Sequence, residues 1–132
     1  MRIHQTPGHS DGYGFLCCDD NIDVVLMLTM LLEAAGHNVL MEHGAYGVLE
    51  RAKFERPEVC LIDIGLPDQD GNQLAQRLRS SPEMGKPVLI AVTGYEQESD
   101  RKNALASGFN HHRVKPVDIR RLAGILNDIA IG

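Results

Sequence analysis

Short, almost wholly apolar runs alternate with longer stretches of helical period, and this alternation constrains the fold more than any other feature of the chain. The runs are Phe15 to Cys18, Val39 to Met41, Val59 to Ile62 and Val88 to Val92, with a weaker one near Phe109 to Val114. Runs this short, apolar throughout and bounded by turn residues, read as strands buried on both faces. Helical periodicity covers about Ile22 to Ala35, Ala45 to Arg56, Asn72 to Arg79, Gln97 to Ser107 and Val117 to Ile129, with Gly36, Pro57, Pro82 and Gly108 as stop signals. Strands buried on both faces belong in a parallel sheet, whose crossover helices cover both sides. The expected fold class is α/β, a doubly wound (βα)₅ parallel sheet.

The 132 residues make one domain, and 43% hydrophobic content is enough for a core without metal or disulfide staples. The 13 Lys and Arg stand against 18 Asp and Glu, for a formal charge of −5. That balance disfavours a nucleic-acid surface as the main function, and an anionic membrane surface with it. Cys17, Cys18 and Cys60 cannot all pair within one chain, and each sits in an apolar run, so they read as buried free thiols in a reducing compartment. With no apolar signal region and no membrane-length apolar stretch, the expected localisation is cytoplasmic. Residues 1–12, rich in Pro, Gly, Ser and His, read as a flexible leader, a linker or a cloning scar, leaving 13–132 as the domain.

Carboxylates stand at the ends of two strands: Asp19 and Asp20 after the first, Asp63 after the third. In a parallel sheet all strand C-termini share one edge, where open α/β folds bind ligands. If the order is 2-1-3-4-5, as in flavodoxin-like sheets, the three acids meet in one cleft. At about 4 to 5 Å and an effective dielectric near 20, each pair repels by roughly 3 to 4 kcal/mol. Raised carboxylate pKa values are one way to offset this, and a divalent cation, Mg²⁺ or Mn²⁺, is the other. Thr93 and Gly94 follow strand four, and Lys115 and Pro116 follow strand five, bringing a hydroxyl and an ammonium to the same edge. With a metal bound, hydroxyl and lysine would complete a clamp able to neutralise a phosphoryl group's oxygens, and Asp63 is the candidate acceptor.

The first helix is apolar on two sides. Val24, Met27, Leu28, Leu31, Leu32 and Ala35 form the expected sheet-facing stripe. Ile22, Leu26 and Met30, with Val25 at the margin, form a second patch beside Thr29 and Glu33, where a surface helix should be polar.

These motifs together resemble the receiver domains of two-component response regulators. The resemblance spans about Gly14 to Ile129 and rests on Asp19-Asp20-Asn21, on Asp63 through Gly71, on Thr93-Gly94 and on Lys115-Pro116, with Thr93 and Lys115 lying 30 and 52 residues after Asp63. It implies a phosphorelay role in which Asp63 accepts a phosphoryl group from the phosphohistidine of a histidine kinase or phosphotransfer domain. It further implies that Asp20, Asp63 and the Gly65 carbonyl bind Mg²⁺ directly and Asp19 through water. Thr93 and Lys115 would hold the phosphoryl oxygens, with a cis Lys115–Pro116 peptide shaping the loop, and Tyr95 and Gly65 would gate attacking water. Phosphorylation would switch the surface around helix four, strand five and helix five. The family's usual switch aromatic, three residues before the lysine, is here His112. His111-His112 before Lys-Pro is closer to receivers attached to hybrid histidine kinases. Ile22, Val25, Leu26 and Met30 become the docking patch for the phosphohistidine partner, with a dimer contact as the other reading. No length is left for an output domain, so the expectation is a stand-alone receiver or a piece of a larger chain, with self-phosphorylation and autodephosphorylation as its only activities.

Two other classes compete. An aspartyl-phosphate phosphatase also uses a strand-end Asp with Mg²⁺, but it expects a second acid two residues on, where this chain has Gly65. A flavodoxin-like phosphate binder needs a Ser, Thr and Gly loop after strand one, where Asp19 and Asp20 repel phosphate.

Overall fold

In the computed structural model, which describes residues 12–66, 68–94 and 98–131, the order of elements follows the apolar alternation. The elements are β1 (Gly14–Cys18), α1 (Ile22–Ala34), β2 (Asn38–Glu42), α2 (Ala45–Glu55), β3 (Val59–Asp63), α3 (Gly71–Arg79), β4 (Val88–Thr93), α4 (Glu98–Ser107), β5 (His111–Val114) and α5 (Ile119–Ile131), with a 3₁₀ turn over Pro82–Met84. All strand pairings are parallel, in the order β2-β1-β3-β4-β5. Residues 1–11, within the expected leader, lie outside the described residues, as does Tyr95. Gly12 is itself buried.

Side-chain alternation along the strands divides the core in two. Leu16, Cys18, Cys60, Ile62, Leu89 and Ala91 pack under α2, α3 and α4. Phe15, Cys17, Val59, Leu61, Ile90 and Val92 pack under α1 and α5. Cys17 and Cys18 therefore serve opposite cores, and all three thiols are free and buried. Burial pushes Cys17 and Cys60 up to about 12, so neither forms a thiolate near neutral pH.

The face of α1 differs from the expected one. Val25, Leu28, Thr29 and Leu32 are buried, whereas Met27 and Leu31 are exposed. Val25 has no exposed surface and is thus a core residue, not the margin of a docking patch. The helix is apolar nearly all round, so hydrophobic periodicity cannot distinguish frames one residue apart. Its entry sets the frame: Asn21 caps α1, its Oδ1 accepting from the Asp23 and Val24 amides at 3.0 and 3.4 Å. Ile22, Leu26 and Met30 do lie on the surface, at 58, 44 and 70% exposure.

The turn from β3 into α3 depends on the lack of a side chain at Gly71. Its amide donates to the Ile64 carbonyl at 2.9 Å, and a Cβ there would stand 2.5 Å from Ile64 Cα and 2.9 Å from the Asp63 carbonyl oxygen. Both obstacles are backbone, so no rotamer change relieves them. Gly71→Ala is expected to cost about 1 to 3 kcal/mol in urea denaturation. Gly124→Ala, in open space on α5, is expected to stabilise by about 0.5 to 1 kcal/mol. Equal effects at the two positions would contradict the packing described for Gly71.

Candidate functional site

Asp19 immediately follows β1, and Asp63 is the last residue of β3. Because β1 and β3 are neighbours, with Cys18 level with Ile62, both acids reach the same edge. Asp19, Asp20 and Asp63 each offer a carboxylate oxygen, and these atoms lie within 4.8 Å of one another. Asp20 is exposed, whereas Asp19 and Asp63 are buried. The strand order that this convergence requires is the order found.

Lys115 is the counterion. Its Nζ lies 2.7 Å from Asp19 Oδ2 and 3.4 Å from Asp63 Oδ2. Burial alone would lower its pKa, but the hydrogen bond to Asp19 and the charges of Asp63 and Asp19 outweigh it and hold the ammonium above its ordinary value. The backbone sets the reach: the Lys115 amide donates to the Thr93 carbonyl at 2.8 Å, and the Lys115–Pro116 peptide is cis. Asp19 Oδ1 accepts from the Asn21 amide at 2.9 Å, and Asp63 Oδ1 from the Gly65 amide at 3.0 Å. Each buried carboxylate thus has one amide donor and shares the ammonium.

Thr93 ends β4 and is buried. With Gly94, Asp63 and Gly65 it lines a cavity of about 440 Å³, completed by residues that include Asn72 of α3 and Asn103 of α4. Neither asparagine stands out in the sequence, because one Asn in a helical run carries no spacing signal. His112 lies elsewhere, level with Ala91 of β4 and lining a cavity between α4 and α5.

Asp68 lies in the stretch 68–71, which reads from sequence as a turn and helix cap, yet the helix it caps is not the one that follows. Its carboxylate accepts from the Ala45 amide at 3.0 Å (Oδ1) and the Tyr46 amide at 3.3 Å (Oδ2), capping α2 from the loop after β3. The residue preceding α2 is Gly44, which has no side chain to do this. The cap lies 23 residues from its helix, beyond any local capping pattern. Asp70 acts locally, its Oδ1 accepting from the Asn72 amide at 3.0 Å to cap α3. The loop carrying Gly65 is therefore pinned to both helices.

Comparison with known proteins decides the family. Residues 15–127 match the response regulator receiver domain. The chain belongs to that family. The receiver is 35% identical over 118 residues to protein PilH of Pseudomonas aeruginosa, covering 89% of this chain and 97% of PilH. It is 37% identical over 103 residues to an uncharacterized 14.6 kDa protein of Leptolyngbya boryana, covering 78% of this chain and 79% of that one. It is 30% identical over 114 residues to the sensor histidine kinase GacS of Pseudomonas protegens, covering 84% of the receiver but only 12% of GacS. Among solved structures, a CheY-like receiver domain of Methanospirillum hungatei is 26% identical with a TM-score of 0.77, covering 89% of this chain and 92% of the other. The protein is thus a receiver domain of two-component signalling, with the flavodoxin-like fold. Its family generally binds Mg²⁺ and interacts with histidine kinases or phosphotransfer domains, and none of its described helices is long and apolar enough to cross a membrane.

The Asp68 cap and the burial of Asp63 both bear on stability. Asp68→Ala is expected to lose about 1 kcal/mol in urea denaturation, with Asp68→Asn retaining part of the cap; an unchanged midpoint for Asp68→Ala would contradict the cap. Asp63 is held above the ordinary carboxylate range by burial, against the Gly65 amide; Asp19's charge adds to the rise and Lys115 opposes it. An acid raised by folding penalises the fold when ionised, a cost absent below its unfolded value of about 4 and fully present above its folded value. Asp63→Asn should therefore melt higher than the wild type at pH 7 with a chelator present, the advantage shrinking as pH falls toward about 4. A lower melting temperature at pH 7 would contradict this.

Proposed function

We propose that Asp63 is the phosphoacceptor of a phosphorelay, taking a phosphoryl group from a phosphohistidine on a histidine kinase or histidine phosphotransfer domain. The observation that carries this reading is the gathering of Asp19, Asp20 and Asp63 within 4.8 Å, with Lys115 beside them and Thr93 sharing the Asp63 cavity. A carboxylate oxygen of Asp63 forms the new bond to phosphorus as the bond from phosphorus to the donor nitrogen breaks, and the imidazole leaves with that electron pair. Three hard oxygen donors fit a divalent cation, Mg²⁺ or Mn²⁺, held by Asp20, Asp63 and the Gly65 carbonyl directly and by Asp19 through water. When bound, the cation supplies positive charge against the phosphoryl oxygens. Lys115, beside Asp19 and Asp63, would supply a second positive charge, and the Thr93 hydroxyl would donate to a phosphoryl oxygen. Gly94, open beside Thr93, leaves room for that oxygen.

Movement of Thr93 toward the phosphoryl group shifts a population of states at α4, β5 and α5. The coupling runs through β4 and β5, where Thr93 is level with Val114 and the Lys115 amide is bonded to Thr93. His112 takes the switch position on that strand. Self-phosphorylation from small donors and autodephosphorylation are the only activities of the domain. Residues 13–132 form the receiver unit, acting in the cytoplasm either alone or within a hybrid kinase. Ile22, Leu26 and Met30, exposed one helical turn apart beside Asp20, form the patch on which the partner docks.

Incubation with acetyl phosphate and Mg²⁺ should give one acyl phosphate per chain by intact mass, mapped to Asp63 and absent in Asp63→Asn and in the presence of EDTA. Undiminished labelling of Asp63→Asn overturns the assignment, and repeated turnover of a phosphomonoester favours the phosphatase class. Leu26→Glu should slow transfer from a phosphorylated histidine kinase about tenfold or more while leaving labelling by acetyl phosphate unchanged. Equal loss with both donors would point to misfolding and count against the docking patch.

A further inference from the structure

The end of the sheet opposite the acid cluster carries titratable groups of its own. Tyr13, His37 and Glu58 stand immediately before β1, β2 and β3, which are neighbours in the sheet, so the three residues meet at one edge. Two consecutive amides at the entry to β1 are held there by side chains. The Tyr13 amide donates to His37 Nδ1 at 2.9 Å, and the Gly14 amide donates to Glu58 Oε1 at 2.9 Å. The half-buried His37 ring packs on Phe15 and Tyr13, with centroids 4.9 and 6.0 Å apart. Gly12 has a φ of +111°, and a Cβ there would run into the Gly36 carbonyl and stand 2.9 Å from His37 Nδ1, so the chain enters directly against the turn that carries His37. The Tyr13 hydroxyl in turn donates to the Leu126 carbonyl of α5 at 3.3 Å. Nδ1 can accept the Tyr13 amide only in the neutral imidazole, with the proton on Nε2.

From this we infer that His37 is a proton-operated latch on the entry to β1. A proton taken from solvent onto Nδ1 turns the acceptor into a donor and sets it against the Tyr13 N–H. Gly12 and Tyr13 are then released from the turn before β2, while the central strands stay folded. Glu58, from the start of β3, is the charged group that acts on the ring, and its carboxylate favours the imidazolium; burial opposes it and prevails, holding His37 below its ordinary value. The other contacts here are neutral: the Tyr13 and Phe15 rings of the β1 side, the Leu32 carbonyl of α1, which accepts from the His37 amide at 3.0 Å, and the Leu126 carbonyl of α5 beyond Tyr13. A histidine whose folded value is depressed contributes stability that is complete above its unfolded value of about 6.5 and is lost as pH falls through the folded value. Mild acid therefore opens the latch, and because Tyr13 also bonds α5, the opening loosens one tie to that helix. The device lies at the far edge from Asp63 and does not depend on phosphoryl chemistry there.

The test is residue-resolved NMR on the full chain between about pH 8 and about pH 5. The His37 ring should titrate with a midpoint below about 6.5. Protection of the Tyr13 amide from hydrogen exchange, corrected for the intrinsic rate, should fall about tenfold or more with that midpoint, while the Leu61 and Ile90 amides of the central strands keep theirs. His37→Gln, whose side-chain carbonyl can accept the same amide, should remove the pH dependence at Tyr13. Glu58→Gln should move the His37 midpoint to lower pH, since it removes the charge that favours the imidazolium. The wild-type titration decides the matter even if a variant fails to fold. Protection at Tyr13 that stays flat while His37 titrates overturns the inference, as does an unchanged pH course in His37→Gln. Parallel loss at Leu61 and Ile90 overturns it too, because the event is then global unfolding and not a local opening.

Discussion

Mutual repulsion among Asp19, Asp20 and Asp63 is the constraint to which the rest of this structure answers. Three carboxylates within 4.8 Å oppose folding unless something compensates. The fold compensates in three ways: the Asn21 and Gly65 amides donate to two of the acids, Lys115 reaches Asp19 and Asp63 from the end of β5, and Asp20 stays in contact with solvent. The ammonium is the only one of these three that depends on another strand. It ties the end of β5 to the ends of β1 and β3 through an interaction whose strength varies with the charge state of the site. Adding charge to Asp63, or a cation to the cluster, therefore changes what Lys115 and its strand experience. Under the phosphoacceptor role proposed above, signalling would be an electrostatic rearrangement at one sheet edge, carried outward by the β4 and β5 pairing.

The loops that carry these groups are held more firmly than their glycine content suggests. Gly71 brings α3 against the Asp63 and Ile64 backbone, and Asp68 joins the same loop to the first turn of α2. The Gly65 carbonyl is thereby positioned by packing and capping on both sides. For the proposed cation site, preorganisation of this kind would matter because a flexible carbonyl loses conformational entropy on binding an ion.

Much of this is legible in the sequence because parallel sheets leave a plain trace. The runs at Phe15, Val59 and Val88 are apolar throughout, and the acids, Thr93 and Lys115 sit just beyond strand ends, so strand order alone brings them together. The orientation of α1 is not legible. An almost uniformly apolar helix supports two frames, and the apolar stripe places Val25 in the wrong one because the Asn21 cap sets the rotation. The Asp68 cap is hidden for a different reason: its helix lies 23 residues away, and local patterns do not cross that distance. Lys115 is expected opposite the acids, but its closer pairing with Asp19 than with Asp63 depends on side-chain geometry that spacing does not encode.

Phosphoryl transfer at this edge requires the acid cluster to be a cation site, and calorimetric titration of Mg²⁺ tests that most directly. One ion per chain is expected for the wild type, with affinity reduced at least about tenfold in Asp20→Asn, a substitution at an exposed position that leaves the circular dichroism unchanged. Equal affinity in the two proteins, or no saturable binding in either, would contradict the assignment of these three carboxylates.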